Sequence, residues 1–91
     1  ARMNSMLSPK AMEACLEVLY RGLVEIRTAT LGNDTVRAEA IADALHNLPH
    51  LLSDGDRRGW TIAKFREFFL ADLVHRFPDL VGLDETLRAV E

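Results

Sequence analysis

The sequence contains one cysteine, Cys15, so no disulfide bond can form within the chain. A lone free thiol is typical of proteins in reducing compartments. The chain also lacks any apolar run of the roughly 20 residues that a membrane-spanning helix needs, and its first residues do not form the unbroken apolar stretch of a secretory signal. We therefore expect a cytoplasmic protein without a membrane partner.

The sequence also lacks an excess of basic residues: it has 11 basic and 14 acidic residues, which gives a formal net charge of −3. Nucleic-acid binding needs a clustered basic surface that neutralises phosphates, so nucleic acid is not an expected partner. Arginine outnumbers lysine by nine to two, a bias that a GC-rich bacterial genome can produce. The composition therefore favours a bacterial protein with another kind of partner.

The short motifs of common enzyme classes do not occur in the sequence. It has no G-x-S-x-G elbow, no Walker phosphate loop, no dinucleotide-binding glycine pattern, no C-x-x-C pair and no deaminase signature. Cys15 lies beside an apolar stripe with no histidine near it in sequence, which is typical of a buried, inert thiol. We therefore expect no catalytic residues and no cofactor.

Proline and glycine are scarce, at eight positions in 91, and 48% of the residues are hydrophobic, as in an ordinary globular protein. Apolar residues recur at helical spacing, which predicts an all-α fold: a small bundle of three main helices plus a short C-terminal helix. Residues 1–91 are expected to form a single domain, with residues 1–7 flexible or not native to it.

The first helix is predicted over residues 9–31, with Ser8 as its N-cap and Gly32 as a left-handed stop. Its inner face is predicted from a stripe with alternating spacings of four and three residues. That stripe consists of Met12, Leu16, Leu19, Leu23 and Ile26.

A second helix is predicted from Asn33 or Asp34 to about Leu48, because Pro49 disfavours helical geometry in the residue before it. The short gap at residues 32–34 favours an antiparallel hairpin of the first two helices. Residues 49–59 then form a loop.

Thr61 is expected to cap a third helix over residues 62–77, and Trp60 and Phe65 stand at the positions of a hydrophobic staple. Pro78 ends this helix, and a short terminal helix is predicted from about Asp84.

Apolar residues extend around roughly two-thirds of the first and third helices, a wider arc than a small core buries. Such a surplus is usually covered by a partner, so we expect a self-associating, non-enzymatic interaction domain, most simply a homodimer. The candidates for self-association are Val18, Val24, Phe68, Leu70 and Val74. In a related hypothesis, a small bacterial regulator or immunity-type protein presents an acidic face of the second helix to a basic partner. That face consists of Glu39, Asp43, His46 and Asn47.

The competing hypothesis is a small ligand-binding or metal-binding protein, or an enzyme, with a pocket between the second helix and the 49–59 loop. Asp43, His46 and His50 include a histidine pair at i, i+4 spacing, which can bind zinc, although Pro49 is expected to disrupt the turn between the two rings.

Three cations flank the start of the third helix, where the positive end of the helix dipole favours an anion: Arg57, Arg58 and Lys64. Asp54 and Asp56 in the same segment cancel much of their field. The same two aspartates, with Gly59, imitate the opening of a calcium loop, but they lack its third ligand and its closing glutamate.

Overall fold

The computed structural model describes residues 8–90, which form an all-α domain without a β-strand in that range. The predicted helical fold is therefore confirmed. The helices are α1 (Pro9–Leu31), α2 (Thr35–Arg58), α3 (Ile62–Phe69), α4 (Ala71–Arg76) and α5 (Val81–Arg88), with a 3₁₀ turn at Pro78–Leu80. Residues 1–7, which are predicted to be flexible or not native to the domain, lie outside the described part of the chain. No helix between residues 8 and 90 is both long and apolar enough to cross a bilayer.

The N-termini of the three predicted main helices are capped by the side chains that the sequence indicates. The backbone N–H of Ala11 donates to Ser8 Oγ at 3.2 Å, and that of Lys64 donates to Thr61 Oγ1 at 3.2 Å. Asp34, rather than Asn33, caps α2 by accepting a 3.1 Å hydrogen bond from Arg37 N–H. Each cap satisfies one of the backbone donors that the first turn of a helix leaves free.

The end of α1 differs from the prediction in its backbone geometry. Gly32 has φ −87°, so it is not the left-handed residue. Asn33 takes that role with φ 61°, since asparagine tolerates the left-handed region better than most residues do. Its position between Gly32 and Asp34 reverses the chain from α1 into α2.

The predicted loop over residues 49–59 is wrong, because α2 continues through Pro49 to Arg58 and ends at Gly59, whose φ is 70°. A proline inside a helix removes one backbone hydrogen bond and crowds the preceding turn. That cost is offset here by burial beyond the proline. Gly55 is buried, and Leu51 and Leu52 pack against the core, so the apolar pattern of α2 runs on at helical spacing.

The predicted single helix over residues 62–77 is divided into α3 and α4. Leu70, with φ −115° and ψ −14°, separates them, although its N–H still donates to the carbonyl of Arg66 at 2.9 Å. Phe69, Leu70 and Leu73 are all buried around this break. The terminal helix also begins earlier than predicted, at Val81, because the 3₁₀ turn that starts at Pro78 leads directly into it.

The predicted inner face of α1 is only partly correct, because Leu19 and Ile26 pack against the core but two other members of the stripe do not. Leu16 and Leu23 are 61% and 54% exposed, while small residues face the core. The buried residues of α1 are Ala11, Ala14, Cys15, Val18, Gly22 and Ala29. These small side chains let α1 pack closely against α2, and a Cβ placed on Gly22 would lie only 2.8 Å from Leu45 Cδ1.

The bulk of the core comes from the other helices. The larger fully buried side chains are Ile41, Phe65, Leu70 and Leu87. They lie on α2, on α3, at the α3–α4 break and on α5, so α1 covers this cluster with small residues rather than filling it.

Candidate functional site

The most unusual surface of the domain is a row of large apolar side chains on α1, which we call the outer face. It consists of Leu16, Tyr20, Leu23, Val24 and Leu31, with exposed fractions of 61%, 67%, 54%, 47% and 74%. Successive residues in an α-helix are rotated by about 100°, which places this row on the side of α1 opposite its buried small residues. The helix therefore turns these five side chains away from the core, while Leu19 and Ile26 at its flank pack against it.

This arrangement calls for a functional explanation. Single exposed apolar residues are common on soluble proteins, but five large ones along one side of a helix make that side a candidate contact surface. The local sequence accounts for the orientation. Only the small-residue side of α1 permits the close approach at Gly22 and Leu45, so the bulky side must face outward.

Charged side chains interrupt the outer face at two places. Glu13 and Arg27 lie on the same side of α1 as Leu16 and Tyr20, and both are exposed. Neither of them forms an ion pair within residues 8–90. By contrast, the neighbouring Glu17 accepts a 2.9 Å hydrogen bond from Arg21 Nε on the same helix.

An open groove of about 410 Å³ adjoins the outer face, between α1 and the segment that contains the 3₁₀ turn and the start of α5. Tyr20 and Val24 form one side of it, and Leu80 and Leu83 lie beneath. The groove thus extends the apolar surface from α1 onto the body of the domain.

The acidic side of this groove is fixed by Arg37 from α2. Its guanidinium donates to both carboxylate oxygens of Asp79 and lies 3.5 Å from Glu25. The hydrogen bonds to Asp79 raise the pKa of Arg37, and they lower the pKa of Asp79. Asp79 and Glu25, which border the groove, are thus both paired with Arg37.

The predicted self-association residues divide into two groups. Val18 and Leu70 are fully buried, so their assignment to a contact surface is wrong: Val18 lies on the small-residue side of α1, and Leu70 lies in the core at the α3–α4 break. Val74 is half-buried and packs against the same core. Val24 and Phe68 are exposed, at 47% and 55%, but only Val24 belongs to the outer face.

Phe68 belongs to a separate aromatic cluster on α3. Its ring stacks on Trp60 with centroids 4.8 Å apart and planes 8° from parallel, and Lys64 Nζ lies 5.2 Å from the Phe68 centroid. Trp60, for which the sequence predicts a staple with Phe65, stacks on Phe68 and also packs against the core in which Phe65 is fully buried. Trp60 is half-buried, which leaves it a structural role.

The predicted acidic face of α2 is exposed. Its four members, Glu39, Asp43, His46 and Asn47, all lie on the surface. Asp43 and Asn47 border a groove of about 250 Å³ that Phe68 and Asp72 line from the other side. Arg76 lies in the same groove, 3.9 Å from Asp72, so the groove carries both signs of charge.

The candidate metal residues share one side of α2. Because the helix continues through Pro49, the rings of His46 and His50 lie 6.5 Å apart, contrary to the predicted disruption. No group of three or more His, Cys, Asp or Glu residues in the described chain is placed to hold a metal ion, so Asp43 does not complete a site with them. The predicted pocket beside a 49–59 loop has no counterpart, because that segment is helical.

The candidate anion residues have structural roles. Arg57 and Arg58 lie in the last turn of α2, where positive charge stabilises the helix dipole, and Arg57 donates to Asp54 on the same helix. Lys64 lies 3.9 Å from Glu67 and over the Phe68 ring. The calcium-like spacing of Asp54 and Asp56 is wound into α2, so no calcium loop exists there.

One charged cluster was not predicted from the sequence. Asp84 on α5 is the one buried charged residue among residues 8–90. Arg66 Nη1 on α3 donates to its two carboxylate oxygens at 3.0 and 3.2 Å, and Arg88 Nε donates at 2.7 Å. Only the four-residue spacing of Asp84 and Arg88 is visible in the sequence. The contact with Arg66 spans 18 residues and depends on the packing of α3 against α5.

This cluster is built for stability rather than for proton transfer. Burial by itself raises the pKa of Asp84, but the hydrogen bonds and charges of Arg88 and Arg66 outweigh it, so the pKa lies below its usual value. A carboxylate held in its ionised form by two guanidinium groups does not serve as a general acid at neutral pH. The cluster therefore ties α5 to α3.

No protein-family model, curated protein or solved structure matches this chain. A function can therefore be inferred only from the surface of the domain itself.

Proposed function

We propose that this chain is a non-enzymatic interaction domain that self-associates through the outer face of α1. The observation that carries the proposal is the orientation of α1, which buries alanine, glycine and cysteine and exposes five large apolar side chains on the opposite side. Large apolar residues contribute stability only when they are removed from water. On α1 a second molecule can supply that burial.

The amount of apolar surface fits a reversible dimer. Fully burying a large apolar side chain contributes about 1.5–3 kcal/mol, and the five side chains of the outer face are roughly half to three-quarters exposed. Two copies therefore gain on the order of 10 kcal/mol, which is comparable to the cost of association, about 4–15 kcal/mol. We expect association that depends on protein concentration rather than a permanent complex.

The other features of the chain support the same role. The buried carboxylate of Asp84 is committed to Arg66 and Arg88, and no group of potential metal ligands assembles in residues 8–90. The thiol of Cys15 is free and buried, and burial raises its pKa, as expected for an unreactive cysteine. We place the domain in a reducing, cytoplasmic compartment for this reason.

Sedimentation velocity over a concentration series tests the proposal. We expect the dimer fraction of the wild-type chain to rise with concentration and Leu23→Glu to remain monomeric, because a charge at the centre of the outer face opposes its burial. Val36→Glu is the matched control: Val36 is 62% exposed near the start of α2, outside the outer face, and the change in charge is the same. A wild-type chain that is monomeric at every concentration, or a Leu23→Glu variant that dimerises like the control, would contradict the proposal.

A further inference from the structure

Four residues on the outer side of α1, two apolar and two charged, are arranged symmetrically about Tyr20. Leu16 and Val24 lie four residues before and after it, and Glu13 and Arg27 lie seven residues before and after it. Seven residues are almost two helical turns, so the two charges share the side of Tyr20, each about 10.5 Å away along the axis. The face thus carries an acidic residue at one end and a basic residue at the same distance on the other.

Two α1 helices from two copies of the chain can pair antiparallel or parallel, and this order of charges favours the antiparallel pairing. A two-fold axis that crosses α1 at Tyr20 reverses the second helix, so every residue meets the one equally far on the other side of Tyr20. Glu13 then meets Arg27 at both ends, and Leu16 meets Val24. A parallel pairing instead places Glu13 against Glu13 and Arg27 against Arg27, and both of these contacts are repulsive.

Both charges are available for such a contact. Within residues 8–90, neither Glu13 nor Arg27 forms an ion pair, whereas Glu17 and Arg21 are already paired on their own helix. We infer that two copies of this chain dock antiparallel through α1 across a two-fold axis at Tyr20, with Glu13 of each copy facing Arg27 of the other. This inference rests on the proposed self-association and specifies its geometry.

Charge exchange tests the geometry by sedimentation velocity. Arg27→Glu and Glu13→Arg each turn two attractive contacts into two repulsive ones, so we expect each to weaken dimerisation about tenfold at low salt. The double variant Glu13→Arg/Arg27→Glu restores both contacts and is expected to dimerise nearly as well as the wild type. High salt is expected to reduce these differences, since the charges lie at the rim of the contact.

The two single variants control for net charge. One makes the acidic chain more acidic and the other makes it less so, and a general charge effect would therefore shift dimerisation in opposite directions. Circular dichroism of each variant verifies that the helices are retained. Single variants that dimerise like the wild type would overturn the antiparallel geometry, while loss of the dimer in Leu23→Glu would still support self-association. A monomeric wild type would refute both.

Cross-linking gives a second measurement that is independent of charge. In the antiparallel dimer, a Leu16→Cys chain is expected to form a disulfide with a Val24→Cys chain when the two are mixed and oxidised, because these positions face each other. In a parallel dimer, each variant would cross-link with itself. Efficient cross-linking of Leu16→Cys alone, without the mixed product, would refute the inference.

Discussion

The close approach of α1 and α2 at Gly22 yields a quantitative prediction about stability. A Cβ on Gly22 would lie 2.8 Å from Leu45 Cδ1, 3.0 Å from Cδ2 and 3.2 Å from Cγ. Carbon atoms pack best at about 3.5–4.0 Å, so the added methyl group would overlap three atoms of one side chain. Leu45 is 8% exposed and lies in the core, and it therefore has little freedom to move away.

Two effects oppose each other in Gly22→Ala. Alanine is favoured over glycine in a helix interior by about 1 kcal/mol, whereas overpacking a core costs about 1–3 kcal/mol. Gly82→Ala on α5 is the matched control, because a Cβ there meets no atom within 4 Å. We expect Gly82→Ala to stabilise the fold by about 0.4–1 kcal/mol and Gly22→Ala to be less stable than Gly82→Ala by about 1–3 kcal/mol.

Urea unfolding monitored by circular dichroism measures this difference, at one protein concentration so that self-association contributes equally. A double-mutant cycle that combines Gly22→Ala with Leu45→Ala isolates the contact between these two positions. Once Leu45 is truncated, Gly22→Ala is expected to lose most of its packing cost. Equal changes in the free energy of unfolding for Gly22→Ala and Gly82→Ala would refute the close approach of the two helices.

Three further predictions concern other sites. At neutral pH, we expect Asp84→Asn to lower the free energy of unfolding by about 1–3 kcal/mol, because Arg66 and Arg88 lose an anionic acceptor. The pKa of Asp84 is lower in the folded chain than in the unfolded one, so its contribution is full above the unfolded pKa of about 3.9 and is lost as the pH falls through the folded pKa. Urea titrations at decreasing pH should show the two proteins converging, and a gap that does not change with pH would contradict the buried ion pair. Gly59→Ala should destabilise the fold by about 1–2 kcal/mol in the same assay, because Gly59 holds φ 70° at the end of α2, and an unchanged stability would argue against that conformation. Finally, a thiol reagent should label Cys15 slowly in the native protein and rapidly in denaturant, since the side chain is 3% exposed, and fast native labelling would contradict its burial.

Features that depend on a few neighbouring residues were predictable from the sequence. Ser8 and Thr61 cap their helices as their hydroxyl groups and positions indicate, and the main helices begin where those caps place them. Capping is a contact over three residues, so the sequence contains all of it. The same applies to the three-residue connection that reverses the chain between α1 and α2.

Features that depend on tertiary packing were not predictable in this way. The spacing of the larger apolar residues predicts an inner face of α1 that includes Leu16 and Leu23, but both of these side chains are exposed. The small-residue side was indicated by Ala11, Ala14, Val18 and Gly22, whose spacings of three and four residues place them on one side of the helix and allow close helix packing. Pro49 ended the predicted second helix because local preference disfavours it, but burial of the following turns is the stronger effect.

The candidate site likewise contains features that could be predicted from the sequence and features that depend on tertiary packing. Val24, a predicted self-association residue, is exposed on the outer face, whereas Val18 lies two residues after Leu16, about 200° around the helix, and is buried on the small-residue side. The pairs Arg37–Asp79 and Arg66–Asp84 join residues 42 and 18 positions apart. No local pattern indicates such a pair, because it exists only once the helices are packed.

The two sides of α1 have a consequence for how the chain tolerates mutation. The residues of α1 that pack in the core and the exposed residues of its outer face lie on opposite sides of the helix. Substitutions at exposed positions such as Leu16 or Leu31 should therefore alter the surface of the domain while its thermal stability stays nearly constant.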